Sequence, residues 1–332
     1  MRAQFFIVTR LAAAVLASMP GLSWAQAPLL RNNVAGNRDV PGFDSPPITV
    51  GAFVISPSAR LSLDAESNIF RSDFVRRADQ SAILAARVKV SADIRRLALR
   101  GFLDGRITRY RRFSQNDADE YAMQLAPLYR IDDASSVSFA VSDRRVAEQR
   151  GGVSLSLLGF DREVYREPKV ELSGTLAGGG LRLNASLAQA KRRYLPLRMP
   201  DPARLDDVFG DDPAIAPLLD QLAVLLGEIA ETAIDQSFRS TKATTVSASL
   251  GYDRNAVLNP YLSVTGSQIR STNPTDCCFR DSSGVSIFGG VRSTAIGLLG
   301  FDLAAGYRSR RFKNPAFADF DGLTYKIGRA HV

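Results

Sequence analysis

From Thr49 onward, apolar and polar residues alternate along the chain with a period of two. Leu97, Leu99, Leu103 and Ile107 share one parity; Arg96, Arg100, Asp104, Arg106 and Thr108 share the other. Val137, Phe139 and Val141 alternate with Ser138, Ala140 and Ser142, and Leu181, Leu183, Ala185 and Leu187 with Arg182, Asn184 and Ser186. Val246, Ala248 and Leu250 oppose Thr245, Ser247 and Ser249, while Leu299, Phe301, Leu303 and Tyr307 oppose Asp302, Arg308 and Arg310. Successive side chains of a strand point to opposite sides, so each segment presents one apolar and one polar face. The pattern predicts strands at 49–64, 82–91, 95–112, 120–130, 135–146, 167–177, 181–193, 238–251, 257–270, 284–295, 298–311 and 322–331. Pro57 interrupts the first, and proline in a strand belongs at an edge or a bulge.

Alternation alone fits a soluble sandwich equally well. The connections discriminate. Short ones fall around Ala92-Asp93, Asp132-Asp133, Gly178–Gly180, Asp253-Arg254 and Gly297; longer, more polar ones fall at 65–81, 113–119, 147–166, 194–237, 271–283 and 312–321. Short and long connections in strict alternation mark a transmembrane barrel, with tight periplasmic turns and extended external loops. Many segments have the roughly ten residues that a tilted strand needs to cross a bilayer. The expected fold is therefore all-β, an antiparallel transmembrane β-barrel of about twelve strands over 49–332 in the outer membrane, with its N-terminus in the periplasm. A secreted soluble β-protein is the alternative fold. One segment departs from the β pattern: Asp212-Pro213 can start a helix, and Ile215, Leu218, Leu219, Leu222, Leu225, Leu226 and Ile229 recur at helical spacing. This predicts a helix at about 213–234 in the longest external loop, either a lid at the barrel mouth or a helix folded onto its own loop.

The start of the chain reads as a secretory signal. Arg2 and Arg10 flank Phe5–Val8, an apolar stretch runs from Leu11 to Met19, and Ser23-Trp24-Ala25 supplies small residues for cleavage after Ala25. Residues 26–48, with Pro41, Gly42, Pro46 and Pro47, read as a flexible periplasmic lead-in. No later stretch is apolar for long enough to form a membrane-crossing helix. The net charge of +8 is spread through the strand segments of an exported chain, so nucleic acid is not an expected partner. Cys277 and Cys278 are adjacent. They can form a vicinal bridge, stay reduced or pair with another chain, but they provide no disulfide framework.

If the apolar faces meet lipid, the polar faces line the lumen. The expected lining residues are Arg87, Lys89, Arg96, Arg100, Asp104, Arg106, Arg144, Glu171, Arg182, Arg292, Asp302, Arg308 and Arg310. A basic side chain facing hydrocarbon at mid-depth would cost about 2–4 kcal/mol, a penalty avoided inside a closed barrel. The basic excess favours anions in an open lumen; alternatively the charges pair and plug a narrow one. Tyr110, Phe113, Tyr121, Tyr129, Tyr252, Phe288 and Tyr307 fall near strand ends and suit interfacial girdles. The motifs of catalysis are missing. His331 is the only histidine, no phosphate-binding glycine loop occurs and no serine sits in a nucleophile elbow. Asp104 and Asp302 could face each other as acid and base, but paired structural charges are the expected role. No catalytic residue, cofactor or metal ligand is assigned, and an enzyme is not expected.

Several segments carry a resemblance. Leu61–Phe70 followed by Arg71-Ser72-Asp73, Gly105–Phe113, Asn116–Tyr121, Gly300–Tyr307 and Gly322–Tyr325 resemble strands and loop edges of an outer-membrane β-barrel porin family of Gram-negative bacteria. That family is often encoded beside exopolysaccharide biosynthesis and export genes. The resemblance implies an outer-membrane barrel with a role in polysaccharide secretion or surface assembly. It implies outer-membrane lipid, the barrel-assembly machinery and polysaccharide-export components as partners, and brings no catalytic residues. The helical insertion departs from the pattern, and so does the ending Gly328–Val332, which lacks the usual terminal aromatic. Either this ending is atypical or further strands follow it, which would make twelve a lower bound. Three functions are carried forward: a passage or export scaffold for hydrophilic, anionic saccharides; a structural or adhesive barrel with an occluded lumen acting through its loops; and a barrel-type hydrolase.

Overall fold

The computed structural model describes residues 47–71, 76–148, 150, 161–197, 233–252, 258–273, 280–296 and 299–331. They form one antiparallel sheet of 13 strands, paired in chain order. The strands are β1 (Ile48–Val50), β2 (Phe53–Glu66), β3 (Asp79–Ile94), β4 (Leu97–Tyr110), β5 (Ala118–Arg130), β6 (Ser136–Ala147) and β7 (Val164–Gly178). They continue with β8 (Leu181–Tyr194), β9 (Thr241–Tyr252), β10 (Asn259–Ser271), β11 (Ser282–Ile296), β12 (Leu299–Phe312) and β13 (Phe320–His331). Strands β3 to β13 match the expected segments with small shifts at their ends.

The expected first strand is corrected to two. β1 and β2 form a hairpin that reverses at Gly51, whose φ of 60° suits glycine and little else. A single glycine in an alternating stretch carries too weak a turn signal to be read. β1 covers only Phe53–Ile55 of β2. Pro57 therefore lies on an open edge, where its missing N–H is tolerated. Arg95 (φ 51°) leads the β3–β4 turn, and Gly179 and Gly180 (φ 61° and 84°) make the β7–β8 turn, the two-residue geometry that matches strand twist.

The expected signal segment, the lead-in up to Pro46, helix positions 213–232 and Cys277–Cys278 lie outside the described residues. Ile234, the last expected helical position, is extended: it forms an antiparallel bridge with Leu197, through hydrogen bonds of 3.0 and 2.8 Å. No helix among the described residues is long and apolar enough to cross a membrane, which says nothing about strands.

The short connections gather at one end of the sheet and the long ones at the other. At the long-loop end a cavity of about 1040 Å³ is lined by residues of every strand from β2 to β12. The sheet must therefore curl round its polar face, which is concave. Small residues allow this. A Cβ added at Gly290 would meet the Leu303 carbonyl at 2.7 Å and Tyr261 Cζ at 2.8 Å, and one at Gly306 would strike the Ile287 carbonyl and Phe288. The convex face is apolar and exposed, inverting the usual relation of core and surface; among the described residues the one cluster of buried apolar residues is Ile69, Phe70 and Phe113 at the long-loop end. The exposed large apolar residues of β4–β11 are 38–54% exposed, whereas Leu63 of β2 and Leu323 of β13 reach 81% and 90%. The difference marks two open edges: among the described residues no pairing joins β13 to β1 or β2.

Candidate functional site

Residues directly opposite in a ladder share a face, so the register fixes the composition of the concave side. Arg87 faces Asp104, Asp104 faces Ala122, Ala122 faces Arg144 and Arg144 faces Glu167. Followed in the same way through all strands, Arg87, Lys89, Arg100, Asp104, Arg106, Arg144, Glu171, Arg182, Arg292, Asp302, Arg308 and Arg310 fall on this one face. Arg96 is the exception. It sits in the β3–β4 turn, where its carbonyl accepts the Arg130 amide.

Most of these charges are matched locally. Arg87 donates two hydrogen bonds of 2.6 Å to Asp104, the fork-to-carboxylate geometry that arginine favours. Glu167 binds Arg144 and Arg192 together, with Arg192 at 2.8 Å. Lys169 binds Glu171 at 2.6 Å. Asp302 accepts the Tyr261 hydroxyl and Lys326, each at 2.7 Å, and Arg292 at 3.4 Å. Arg100 reaches Asp93 at 2.8 Å at the short-turn end. Asp104 and Asp302 are thus each held in a separate ion pair, and the structure does not bring them together. Glu167, Lys169, Arg192 and Lys326, the partners missed by sequence reasoning, have the polar-face parity that could have found them.

Four guanidinium groups at the large cavity, Arg106, Arg162, Arg280 and Arg310, form no ion pair with a carboxylate among the described residues, although Glu120 of β5 stands opposite Arg106 in the ladder. Arg310 is held by the Ser282 and Ser267 hydroxyls at 3.0 and 3.1 Å. Arg162 donates to the carbonyls of Ala147 and Glu148 at 2.8 and 3.1 Å. Arg106 makes no hydrogen bond or ion pair among the described residues. A different chemistry covers the concave face of β9–β11, where hydroxyls and glycines predominate. Ser249 faces Ser263, Ser247 faces Thr265, and Thr265 faces Ser286. The Ser186 and Ser247 hydroxyls meet at 2.7 Å.

Loops close part of the mouth. Phe70 and Phe113 stack edge to face at 5.4 Å, and the Arg150 guanidinium lies 5.1 Å from the Phe70 ring centre. Burial pushes Arg150 down to about 10, and pushes Arg162 down as well; both stay charged at neutral pH. The Asp79 carboxylate accepts the Arg112 and Phe113 amides at 3.1 and 3.0 Å, tying the β4–β5 loop to the start of β3. Gln115 and Asn116 are buried beside Arg150, and their side-chain amide nitrogens, Nε2 and Nδ2, have no partner among the described residues. The expected aromatic girdle is corrected in part. Phe113 is buried in this loop cluster, while Tyr110 and Phe288 line cavities on the concave side. No group of His, Cys, Asp and Glu able to hold a metal ion occurs among the described residues.

Among solved structures, OmpT (in-vitro folded), an outer membrane protein of Vibrio cholerae, superposes over 86% of this chain and 95% of its own, at 8% identity and a TM-score of 0.34. No curated protein matches the chain in sequence. A family model described as "Putative beta-barrel porin 2" matches residues 40–196 and 225–327. With its 13-stranded antiparallel sheet, apolar convex face and charged concave face, the chain belongs to this beta-barrel porin family and is a protein of the outer membrane.

Proposed function

We propose that the sheet closes into a barrel whose concave face lines a water-filled passage for hydrophilic solutes, with a preference for anions and acidic saccharides among them. The observation that carries this reading is the large cavity ringed by β2 to β12, where Arg106, Arg162 and Arg310 form no ion pair with a carboxylate among the described residues. Closure is argued from the solvent. Hydrocarbon offers no hydrogen bonds to the open edges of β2 and β13, and a closed barrel has no edges. Transport is passive: the polar lining lowers the barrier, and the basic mouth biases which solutes enter. The long loops face the exterior and the short turns the periplasm. The protein performs no chemistry of its own. Cleavage after Ala25 releases a chain that the barrel-assembly machinery inserts, and polysaccharide-export components are its proposed partners.

One observation favours a second reading. The Phe70–Phe113–Arg150 cluster folds loops across part of the mouth, as a structural or adhesive barrel acting through its loops would require. Single-channel conductance of the refolded protein in a planar bilayer, under a salt gradient, separates the two. Stable steps with an anion-selective reversal potential are expected. A folded, inserted protein with no conductance would replace the passage with the occluded barrel.

A further inference from the structure

The convex face changes character just before the long loops. Arg145 of β6 faces Arg166 of β7, and Arg166 faces Arg193 of β8. Two residues nearer the short turns, Lys191 of β8 faces Lys242 of β9, and Lys242 faces Arg270 of β10. All six have the parity of the apolar residues, opposite to that of Arg144, Glu167 and Arg192. Asp143 pairs with Arg166 at 2.5 Å. The other five make no hydrogen bond or ion pair among the described residues, and Arg145 Nε is enclosed with no partner.

Like charges directly opposite each other across strands are destabilising. Here two such triplets stand side by side, with strands about 4.8 Å apart and the two rows roughly 7 Å apart. The concave face of the same strands solves this problem with carboxylates; on the convex face only Arg166 has one, Asp143, and the other five basic residues have none among the described residues. Nearer the short turns come Gln189, Thr244 and Gln268 and then an exposed apolar band that includes Leu187, Val246 and Val264. Cations, then neutral polar groups, then an apolar band match, in the same order, the phosphate, polar linkage and acyl chains of a phosphorylated lipid lying against the wall.

We propose that this basic collar seats the phosphate-bearing headgroup of an outer-membrane lipid, with the acyl chains along the apolar band below. Guanidinium forks and ammonium groups bind phosphate oxygens directly, and each basic residue near a membrane surface adds to the attraction for anionic lipid. The proposal requires the transmembrane placement of the sheet but not an open lumen, so it survives a failure to conduct.

Native mass spectrometry of the refolded protein in neutral detergent tests it. Diphosphoryl lipid A is expected to remain bound, and its dephosphorylated form to be lost. The triple variant Arg193→Gln, Lys242→Gln, Arg270→Gln should weaken retention at least about tenfold, while Arg193→Lys, Lys242→Arg, Arg270→Lys should keep it; heat-modifiable migration on a gel checks that both variants fold. Equal retention of the dephosphorylated lipid, or undiminished binding by the folded glutamine variant, would overturn the assignment. So would full displacement by inorganic phosphate at matched phosphate concentration, which would indicate a site for soluble anions.

Discussion

On the concave side, β3–β8 and β9–β11 are built from different materials. The first sector pairs charge with charge: Arg87 with Asp104, Arg144 and Arg192 with Glu167, Lys169 with Glu171. The second presents hydroxyls and glycines, such as Ser247, Thr265, Ser267 and Gly284. Both are hydrophilic, but a paired charge is fixed in place by its partner, whereas a hydroxyl rotates to suit whatever lies opposite. Polarity alone therefore says little about selectivity. In the proposed passage, what would select is charge left over after pairing, and that excess gathers at the long-loop end.

The sharpest way to break the contrast is to enlarge a small residue of β12, the strand that borders the hydroxyl sector. Gly306→Ala places a Cβ against the Ile287 carbonyl and Phe288, and overpacking of this kind costs about 1–3 kcal/mol. The folded fraction on refolding should fall, as read by heat-modifiable gel migration, while Gly322→Ala, where an added Cβ meets nothing, should be silent. Next comes Glu167→Gln, which leaves Arg144 and Arg192 without their shared carboxylate. With both arginines about half or less exposed, a stability loss of about 1 kcal/mol is expected. The clearer readout is the reversal potential, which should shift toward anions; an unshifted value would mean that this sector does not face the conducting path. Asp104→Asn should shift selectivity the same way but by less, since it frees only Arg87, and its stability cost should stay below about 1 kcal/mol. Smallest is Ser247→Ala, which removes one hydroxyl contact with Ser186. A change within about 0.5 kcal/mol is expected, with conductance unaltered, and a marked fall in conductance would assign the hydroxyl sector a role in the passage that the contrast denies it.

Much of this was legible in the sequence, because period-two alternation writes both faces of a strand directly. Leu181–Leu187 against Arg182–Ser186 needed no structure, and Gly178–Gly180 announced its turn. Pairing was not legible. That Glu167 stands between Arg144 and Arg192 depends on the register of three strands separated by loops of unequal length. The β1–β2 hairpin was hidden because alternation continues through Gly51. Arg145, Arg193 and Lys242 were overlooked for a related reason: they carry the parity of the lipid-facing residues, and only the structure shows that they adjoin one another above the apolar band.

The three-residue strand β1 has a consequence for how the sheet is sealed. It already occupies the outer edge of β2 opposite Phe53, Val54 and Ile55, so a strand arriving at that edge can engage only from Ser56 to Glu66. The stub is a mechanical stop. In a closing barrel the offset between first and last strands fixes the tilt and the diameter. If the sheet closes as proposed, a stop on one rail of the seam would limit the offsets available, and the bore would thereby be bounded by three residues at its rim.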